Sequence, residues 1–424
     1  MSDGYFKVHG CKHVSGQIDI SGSKNACLQI LAATLLTKDT CVIHNVPNLT
    51  DISFMIAIMR YLGVETERIG PNDWHFSAEN IHGNIHDFAR NFRASLCLAG
   101  PLLARNINIR LPLPGGCKLG ARPIDIHINA FKAFGSDIHC NDKYIFSHYN
   151  KPLRGANVHL SGPRGASVTG TANAVMAAVL ADGQSVLTGC ARDPENLDLL
   201  NMLVKMGAKI SGIGTDTLII NGQPNLHGTE FTVQPDRIET GTFVILGLLL
   251  GENLQINNIR HEHLQNFLSI FNNTESIQIL ENSIIVNRNI NFGTMNIQTG
   301  PHPNFPTDLQ PQTAVLLSQL HGCSSVEDII FPERFAYADE LIKMHAKIKK
   351  SQGKIKIFGT SKLIGTQVKS HDLRAGAAMV LAGCIAENET IITNISHILR
   401  GYERLDKKLQ NVGIDIEYFS GNSE

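Results

Sequence analysis

Apolar positions along this chain follow two alternating patterns. In the first they recur at helical spacing, stop at a glycine, and give way to strand-like alternation. The segments are MRYLGVETERI at Gly63, FKAFGSDIHC at Gly135, LVKMGAKISGI at Gly207 and LQNVGIDIEYF at Gly413, with weaker copies near Asn273 and His345. This is the signature of a surface helix closed by a C-terminal turn and followed by a strand. The copies stand about 70 residues apart, which marks an internal repeat. In the second pattern nearly every position is apolar: NACLQILAATLL, ASLCLAGPLLA, GTANAVMAAVLA, ETGTFVILGLLL, QPQTAVLLSQL and AGAAMVLAGCIA. A helix apolar on all sides is predicted to be buried. β-branched segments such as TCVIHNV, QSVLTGC and TIITNI follow most of them. The predicted unit is therefore strand, buried helix, strand, surface helix, strand, strand. Six such units give an α/β protein of two domains with three repeated β-α-β-α-β-β units in each.

Length supports two cores, since 424 residues exceed what one ordinary core organises. A net charge of −1 provides no global field for nucleic acid or an anionic membrane, so anion binding must be local. No nucleic-acid or membrane partner and no obligate protein partner is expected. The polar start MSDGYFKVHG has no signal-peptide core, and the longest apolar runs are too short to span a bilayer. The nine cysteines are scattered and form no CxxC pair, which points to a reducing cytoplasm rather than a disulfide scaffold or a zinc site. The HEH run at 261–263 has no third ligand at a suitable spacing, and Walker and dinucleotide glycine signatures are missing. Neither a metal nor an organic cofactor is expected.

Polar residues stand before each buried helix: Lys24, Arg93, Ser167, Arg237 with Glu239, Asp308, and Arg374 with Asp372. Capping explains any one of them. Together they suggest converging helix N-termini, whose free N–H groups and partial positive charge suit phosphate. Cys117 lies in LPLPGGCKLGARP, where Pro and Gly on both sides imply a loop. Lys118 beside it favours a thiolate, whereas a lone cysteine is otherwise a small buried apolar residue.

The segments SGSKNACLQILAATLL, RASLCLAGPLLAR, LPGGCKLGARPIDIHI, DRIETGTF, GPHPNFPTDLQPQ, FPERF, HDLRA and HILRGYERL resemble, in order, the motifs of one bacterial family. It is the UDP-N-acetylglucosamine enolpyruvyl transferases, which start peptidoglycan precursor synthesis. The resemblance runs from about residue 5 to 418. It implies two inverted α/β domains, one of about 23–231 and one of 1–22 plus 232–424, closing around phosphoenolpyruvate and UDP-N-acetylglucosamine. It implies that Lys24, Arg122, Arg334, Arg374 and Arg400 bind the compact anion, for which forked guanidinium groups are well suited. Asp308 matches the family's base for the sugar hydroxyl, although the apolar helix that follows also makes it a candidate N-cap. Cys117 matches the acid that protonates the enol carbon and that fosfomycin alkylates, on a loop that closes as a lid. Asn25, Arg93, the run Arg122, Pro123, Ile124, Asp125 and Ile126, then Ser167, Val168 and Ile330 match the nucleotide-sugar contacts, and Asp372 accompanies Arg374. The cations of both domains are expected to repel one another across an empty cleft.

The chain departs from the family pattern at Asn48, at Cys97, in an apparently lengthened SGPRGAS loop where Arg164 stands in for a lysine, and at the fourth repeat, which lacks its glycine. Two alternatives stay open: a sister transferase with another acceptor, and a silent paralogue that binds the sugar nucleotide.

Overall fold

The computed structural model of the chain describes residues 4–113, 124–148, 151–271 and 275–421. These divide into two compact units. The first takes the described residues up to Ser21 and from Pro235 onward, and the second those from Gly22 to Gln234. Each has its own apolar core.

The all-apolar stretches form the buried helices. The second unit holds α1 (Lys24–Ala33), α2 (Ala99–Ala104) and α3 (Val168–Ala178), and the first holds α4 (Arg237–Leu250), α5 (Gln310–Leu317) and α6 (Leu373–Ile385). In the first unit all three pack against one another. In the second, α2 packs on α3, and α1 packs on the 3-10 segment Arg93–Leu98 that leads into α2. One continuous helix was expected at 94–104. Pro101 has no N–H to give to Cys97, and the ladder is interrupted there.

Small sheets surround these helices. In the last repeat of the second unit, Asn157–His159 runs parallel to Gln184–Thr188, which pairs antiparallel with Thr217–Asn221, which in turn pairs with Lys209–Ser211. With α3 after the first strand and the surface helix Pro194–Lys205 after the second, the chain order is that of the predicted unit. The repeat around 84–147 reduces its first strand to one parallel bridge between Asn84 and Arg110. The segment 161–166, expected to be a lengthened loop, is a tight hairpin of Ser161–Gly162 with Gly165–Ala166.

Three strands complete sheets from far along the chain. Tyr5–His9 sits between Glu389–Thr393 and Asp415–Phe419, and Gln17–Asp19 runs parallel to Leu254–Asn257. Glu230–Thr232 closes the sheet of Cys41–His44. The chain thus supplies a strand to two of the first unit's sheets before leaving it and closes one sheet of the second before returning. Each unit fastens its own side of the crossings: Asp236 N donates to Ser21 O at 2.9 Å, and Ser23 N donates to Gln234 O at 2.7 Å.

The helix-closing turns use left-handed backbone, with φ of +85° at Gly135 and +97° at Gly207. His345 takes the same place in the fifth repeat at φ +73°. Its Cβ there costs about 1 kcal/mol that glycine avoids. The matching position of the fourth repeat, Asn273, lies outside the described residues.

His44 fastens the closing strand. Its Nδ1 lies 2.8 Å from Asp73 Oδ1 and its Nε2 lies 2.9 Å from Glu230 Oε1. The hydrogen bond to Asp73, opposed by partial burial and joined by Glu230, raises its pKa above the usual imidazole range. A raised histidine pKa adds stability that is fully present below the unfolded value, about 6.5, and is lost as pH rises through the folded value. His44→Gln is therefore expected to lower the melting temperature at pH 6 and to match the parent protein at pH 9. An equal deficit at both pH values in calorimetry would show that protonation of His44 contributes nothing.

Candidate active site

In the first unit the polar residues that open the buried helices meet. Asp236 caps α4, accepting from Ile238 N at 2.8 Å and Glu239 N at 3.1 Å. Asp372 caps α6, accepting from Arg374 N at 2.8 Å and Ala375 N at 3.1 Å. The charges of Asp236 and Asp308 both act on Arg374, so the starts of α4, α5 and α6 share one neighbourhood.

Asp308 is not the N-cap that its position suggested. It lies in a 3-10 turn, Thr307–Leu309, ahead of α5, and its carboxylate turns to two arginines. Oδ1 accepts from Arg334 Nη1 at 2.7 Å, and Oδ2 accepts from Arg374 Nε at 3.1 Å, with Arg374 Nη2 at 3.0 Å. Arg334 Nη2 also lies 3.6 Å from Asp372. Both guanidiniums are almost wholly buried. Burial alone would lower their pKa values, but the facing carboxylates, Asp308 foremost, outweigh it and raise both. The expected bare positive charge is thereby corrected for these two residues, because Asp308 and Asp372 offset Arg334 and Arg374. Arg334 Nε and Arg374 Nη1 are buried with no hydrogen-bond partner among the described residues. Donors in that condition suit an incoming anion.

A second tier of buried groups holds this cluster. The Arg374 guanidinium stands over the Tyr402 ring at 5.5 Å. Tyr402 Oη lies 2.9 Å from Thr242 Oγ1 and accepts from Gln312 Nε2 at 3.0 Å. Lys408 Nζ reaches Glu239 Oε1 at 2.6 Å and Ser21 Oγ at 2.7 Å, while Ser21 N donates to Glu239 Oε2 at 2.9 Å. Arg400 follows the short helix Ser396–Leu399 and is half-buried. The adjoining Gly401 lies so close to Leu373 that an added Cβ would come within 2.7 Å of its side chain. This places the Arg400 turn beside the start of α6. Ile330 is half-buried in the turn after strand Cys323–Glu327. Tyr402, Gln312, Thr242 and Lys408 were not singled out in the sequence. The two glutamines in the apolar run QPQTAVLL were the available sign, since buried amides require partners.

In the second unit Lys24 opens α1 beside Asn25, and its Nζ lies 3.4 Å from Asp51 Oδ2. Ser23, rather than Lys24, caps the helix, accepting from Ala26 N at 3.4 Å. Ser167 caps α3, accepting from Gly170 N at 3.1 Å, with Val168 as the first helical residue. Ile126 of the helix Asp125–Ala133 packs on this end, because a Cβ at Gly170 would lie 2.9 Å from its side chain. Ile124 precedes that helix and Asp125, exposed, begins it. His127 is buried, 2.9 Å from Asn173 Nδ2 and 3.4 Å from Thr169 Oγ1. Burial, with the nearby Arg93 charge, pushes its pKa down to about 3, so the ring is neutral. Nδ1 accepts from the Asn173 amide, which puts the ring proton on Nε2. Arg93, Ile126, Ser167 and Val168 thus share one region, and Arg93 also acts on the buried thiol of Cys97. Cys117, Arg122 and Pro123 lie outside the described residues.

The sequence profile of the EPSP synthase (3-phosphoshikimate 1-carboxyvinyltransferase) family matches residues 8–409. The chain is 43 % identical over 418 residues to a UDP-N-acetylglucosamine 1-carboxyvinyltransferase of Methylacidiphilum infernorum, covering 97 % of this chain and 98 % of that one. It is 41 % identical over 416 residues to the protein of the same description from Akkermansia muciniphila, covering 97 % of each. Among solved structures it resembles the enolpyruvyl transferase NikO from Streptomyces tendae, with a TM-score of 0.89 at 21 % identity over all of both chains. It also resembles an EPSP synthase from Acinetobacter baumannii, with a TM-score of 0.74 at 16 % identity over 98 % of this chain and 99 % of that one. At such identities the structural likeness establishes the fold.

Asp308→Ala removes the carboxylate that two buried guanidiniums share. It is expected to destabilise the protein by about 3 kcal/mol, the scale of a broken buried ion pair. Added formate should raise the melting temperature of this variant by more than it raises that of the parent. An unchanged melting temperature would show that the two arginines do not need Asp308.

Proposed function

The chain belongs to the EPSP synthase family and, within it, to the UDP-N-acetylglucosamine 1-carboxyvinyltransferases, and from that premise we propose its reaction. It transfers the enolpyruvyl group of phosphoenolpyruvate to the 3-hydroxyl of UDP-N-acetylglucosamine and releases phosphate. The observation that carries this reading is the Asp308 carboxylate set between Arg334 and Arg374 at the start of α5 and α6, in a chain alike to these enzymes along nearly its whole length.

The chemistry needs an acid, a base and positive charge. The sugar oxygen bonds to C2 of phosphoenolpyruvate as C3 takes a proton. Loss of a proton from C3 and of phosphate, which carries away the proton taken from the hydroxyl, then restores the double bond. Asp308 receives the hydroxyl proton and Cys117 supplies the proton to C3. Lys24, Arg122, Arg334, Arg374 and Arg400 hold the anion. Asn25, Arg93, Arg122, Pro123, Ile124, Asp125, Ile126, Ser167, Val168 and Ile330 hold the nucleotide sugar, and Asp372 keeps α6 and Arg334 in place. A cytoplasmic setting fits the described cysteines, all of them free thiols, and no helix among the described residues is long and apolar enough to cross a membrane.

Purified protein given phosphoenolpyruvate is expected to release phosphate with UDP-N-acetylglucosamine and not with shikimate 3-phosphate. Release with the second acceptor alone would overturn the reading. Asp308→Ala should lower turnover by about 100-fold or more, the scale of a lost general base. Arg400→Ala should lower kcat/KM by a few kcal/mol equivalent, the scale of a lost contact to developing charge. Near-parental constants in either variant would remove that residue from its role.

Fosfomycin is expected to add one equivalent at Cys117 and to spare the exposed Cys140 and Cys323. Cys117→Asp should resist the compound and still turn over, since a carboxylic acid can also donate the proton. Peptide mass spectra placing the adduct on another cysteine would refute the assignment.

A further inference from the structure

Asp328 belongs to none of the motifs that carry the family likeness, yet it is the most heavily used carboxylate near Asp308. It follows strand Cys323–Glu327 and is 1 % exposed. Its Oδ1 accepts from Thr299 Oγ1 at 2.8 Å, Ile330 N at 2.9 Å and Phe331 N at 2.7 Å. Its Oδ2 accepts from Thr307 Oγ1 at 2.6 Å and Gln310 Nε2 at 3.4 Å. The five donors come from three places: just past strand Asn296–Gln298, the turn that carries Asp308 together with the first residue of α5, and the turn that carries Ile330 and Arg334.

The Thr307 hydroxyl is the informative link. It has one proton, and the 2.6 Å contact gives that proton to Asp328. Its lone pairs then face Arg334 Nη1, which donates to it at 3.2 Å and to Thr307 O at 3.3 Å. The same Nη1 donates to Asp308 at 2.7 Å. Gln310 secures the other side, donating from Nε2 to Arg334 O at 2.9 Å and accepting from Tyr337 Oη at 2.5 Å. The direction of one hydroxyl, set by Asp328, thus decides whether Arg334 meets an acceptor or a competing donor.

We propose that Asp328 is a positioning residue for the transfer reaction. It orients the Thr307 hydroxyl so that Arg334 is aimed at Asp308, and through the Ile330 and Phe331 amides it ties that arrangement to the nucleotide-side turn. The proposal rests on the function given above. In Asp328→Asn an amide N–H replaces an acceptor. If it faces Thr307, the hydroxyl turns to accept from it and points its own proton at Arg334. If it faces Ile330 and Phe331, two backbone donors lose their acceptor.

The test uses Asp328→Asn, Thr307→Val and Thr307→Ser in the full chain, with kcat and both KM values measured beside melting temperature. Asp328→Asn and Thr307→Val are each expected to lower kcat by about tenfold or more, the mark of an interaction made in the transition state. Thr307→Ser, which keeps the hydroxyl, should return to within about threefold of the parent. The two Thr307 variants separate the hydroxyl from the fold should Asp328→Asn prove unstable. A parental kcat in Thr307→Val, with any loss in Asp328→Asn confined to melting temperature, would overturn the proposal and leave the function standing. A parent protein without turnover on these substrates would overturn both.

Discussion

A helix that is apolar on every face has no side to offer water, so it must be wrapped completely. This chain has six such segments, and the architecture follows from covering them. Neighbouring buried helices cover part of each, and small sheets with their surface helices cover the rest. Mutual packing requires small residues at the crossings. A Cβ at Gly241 of α4 would come within 2.5 Å of Leu309, and one at Gly100 of α2 within 2.5 Å of Asn173 O on α3. Hydroxyls inside these helices bond back to their own turns, as Thr242 Oγ1 does to Ile238 O at 2.8 Å, and so add no unsatisfied donor to the core.

Wrapping the sides leaves only the helix ends for polar chemistry. Each N-terminus has free N–H groups and partial positive charge, and the two units treat theirs differently. In the first unit aspartates cap α4 and α6, and a third, Asp308, stands at the turn into α5. Those carboxylates balance Arg334 and Arg374, which burial would otherwise make prohibitively costly. In the second unit Ser23 and Ser167 cap α1 and α3 and bring no charge. The first unit therefore gathers paired charges at its helix ends. The second presents helix ends whose caps add no charge and leave their positive potential in place.

Support for these ends comes from buried residues behind the Asp308, Arg334 and Arg374 cluster. Asp328, Gln310, Gln312, Tyr402 and the Glu239–Lys408 pair are all buried or nearly so, and their polar atoms spend themselves on one another and on the functional side chains. Gln312 Oε1, on α5, is a buried exception among the described residues. Networks of this kind fix rotamers more firmly than apolar packing, because each member is costly to leave unpaired.

Periodicity alone made the repeat legible. Apolar spacing distinguishes a wrapped helix from a half-exposed one, and a glycine after the surface helix marks the left-handed turn, since only it adopts that backbone without cost. Each helix or strand segment and the polar residue at each helix start were local properties, and their recurrence about every 70 residues gave the order and number of the repeats. Pairing across long separations was not. That Tyr5–His9 completes the sheet of residues 389–419, or that Glu230–Thr232 closes the sheet of Cys41–His44, depends on backbone groups left open by distant strands. The same is true of Asp308. Its place before an apolar helix made it a candidate cap, but two buried guanidiniums from residues 334 and 374 compete for the same oxygens, and ionic hydrogen bonds outweigh a neutral N–H. Sequence determines which residues can accept or be buried; tertiary structure decides which donors reach each acceptor, because that depends on distances set by elements from tens to hundreds of residues apart.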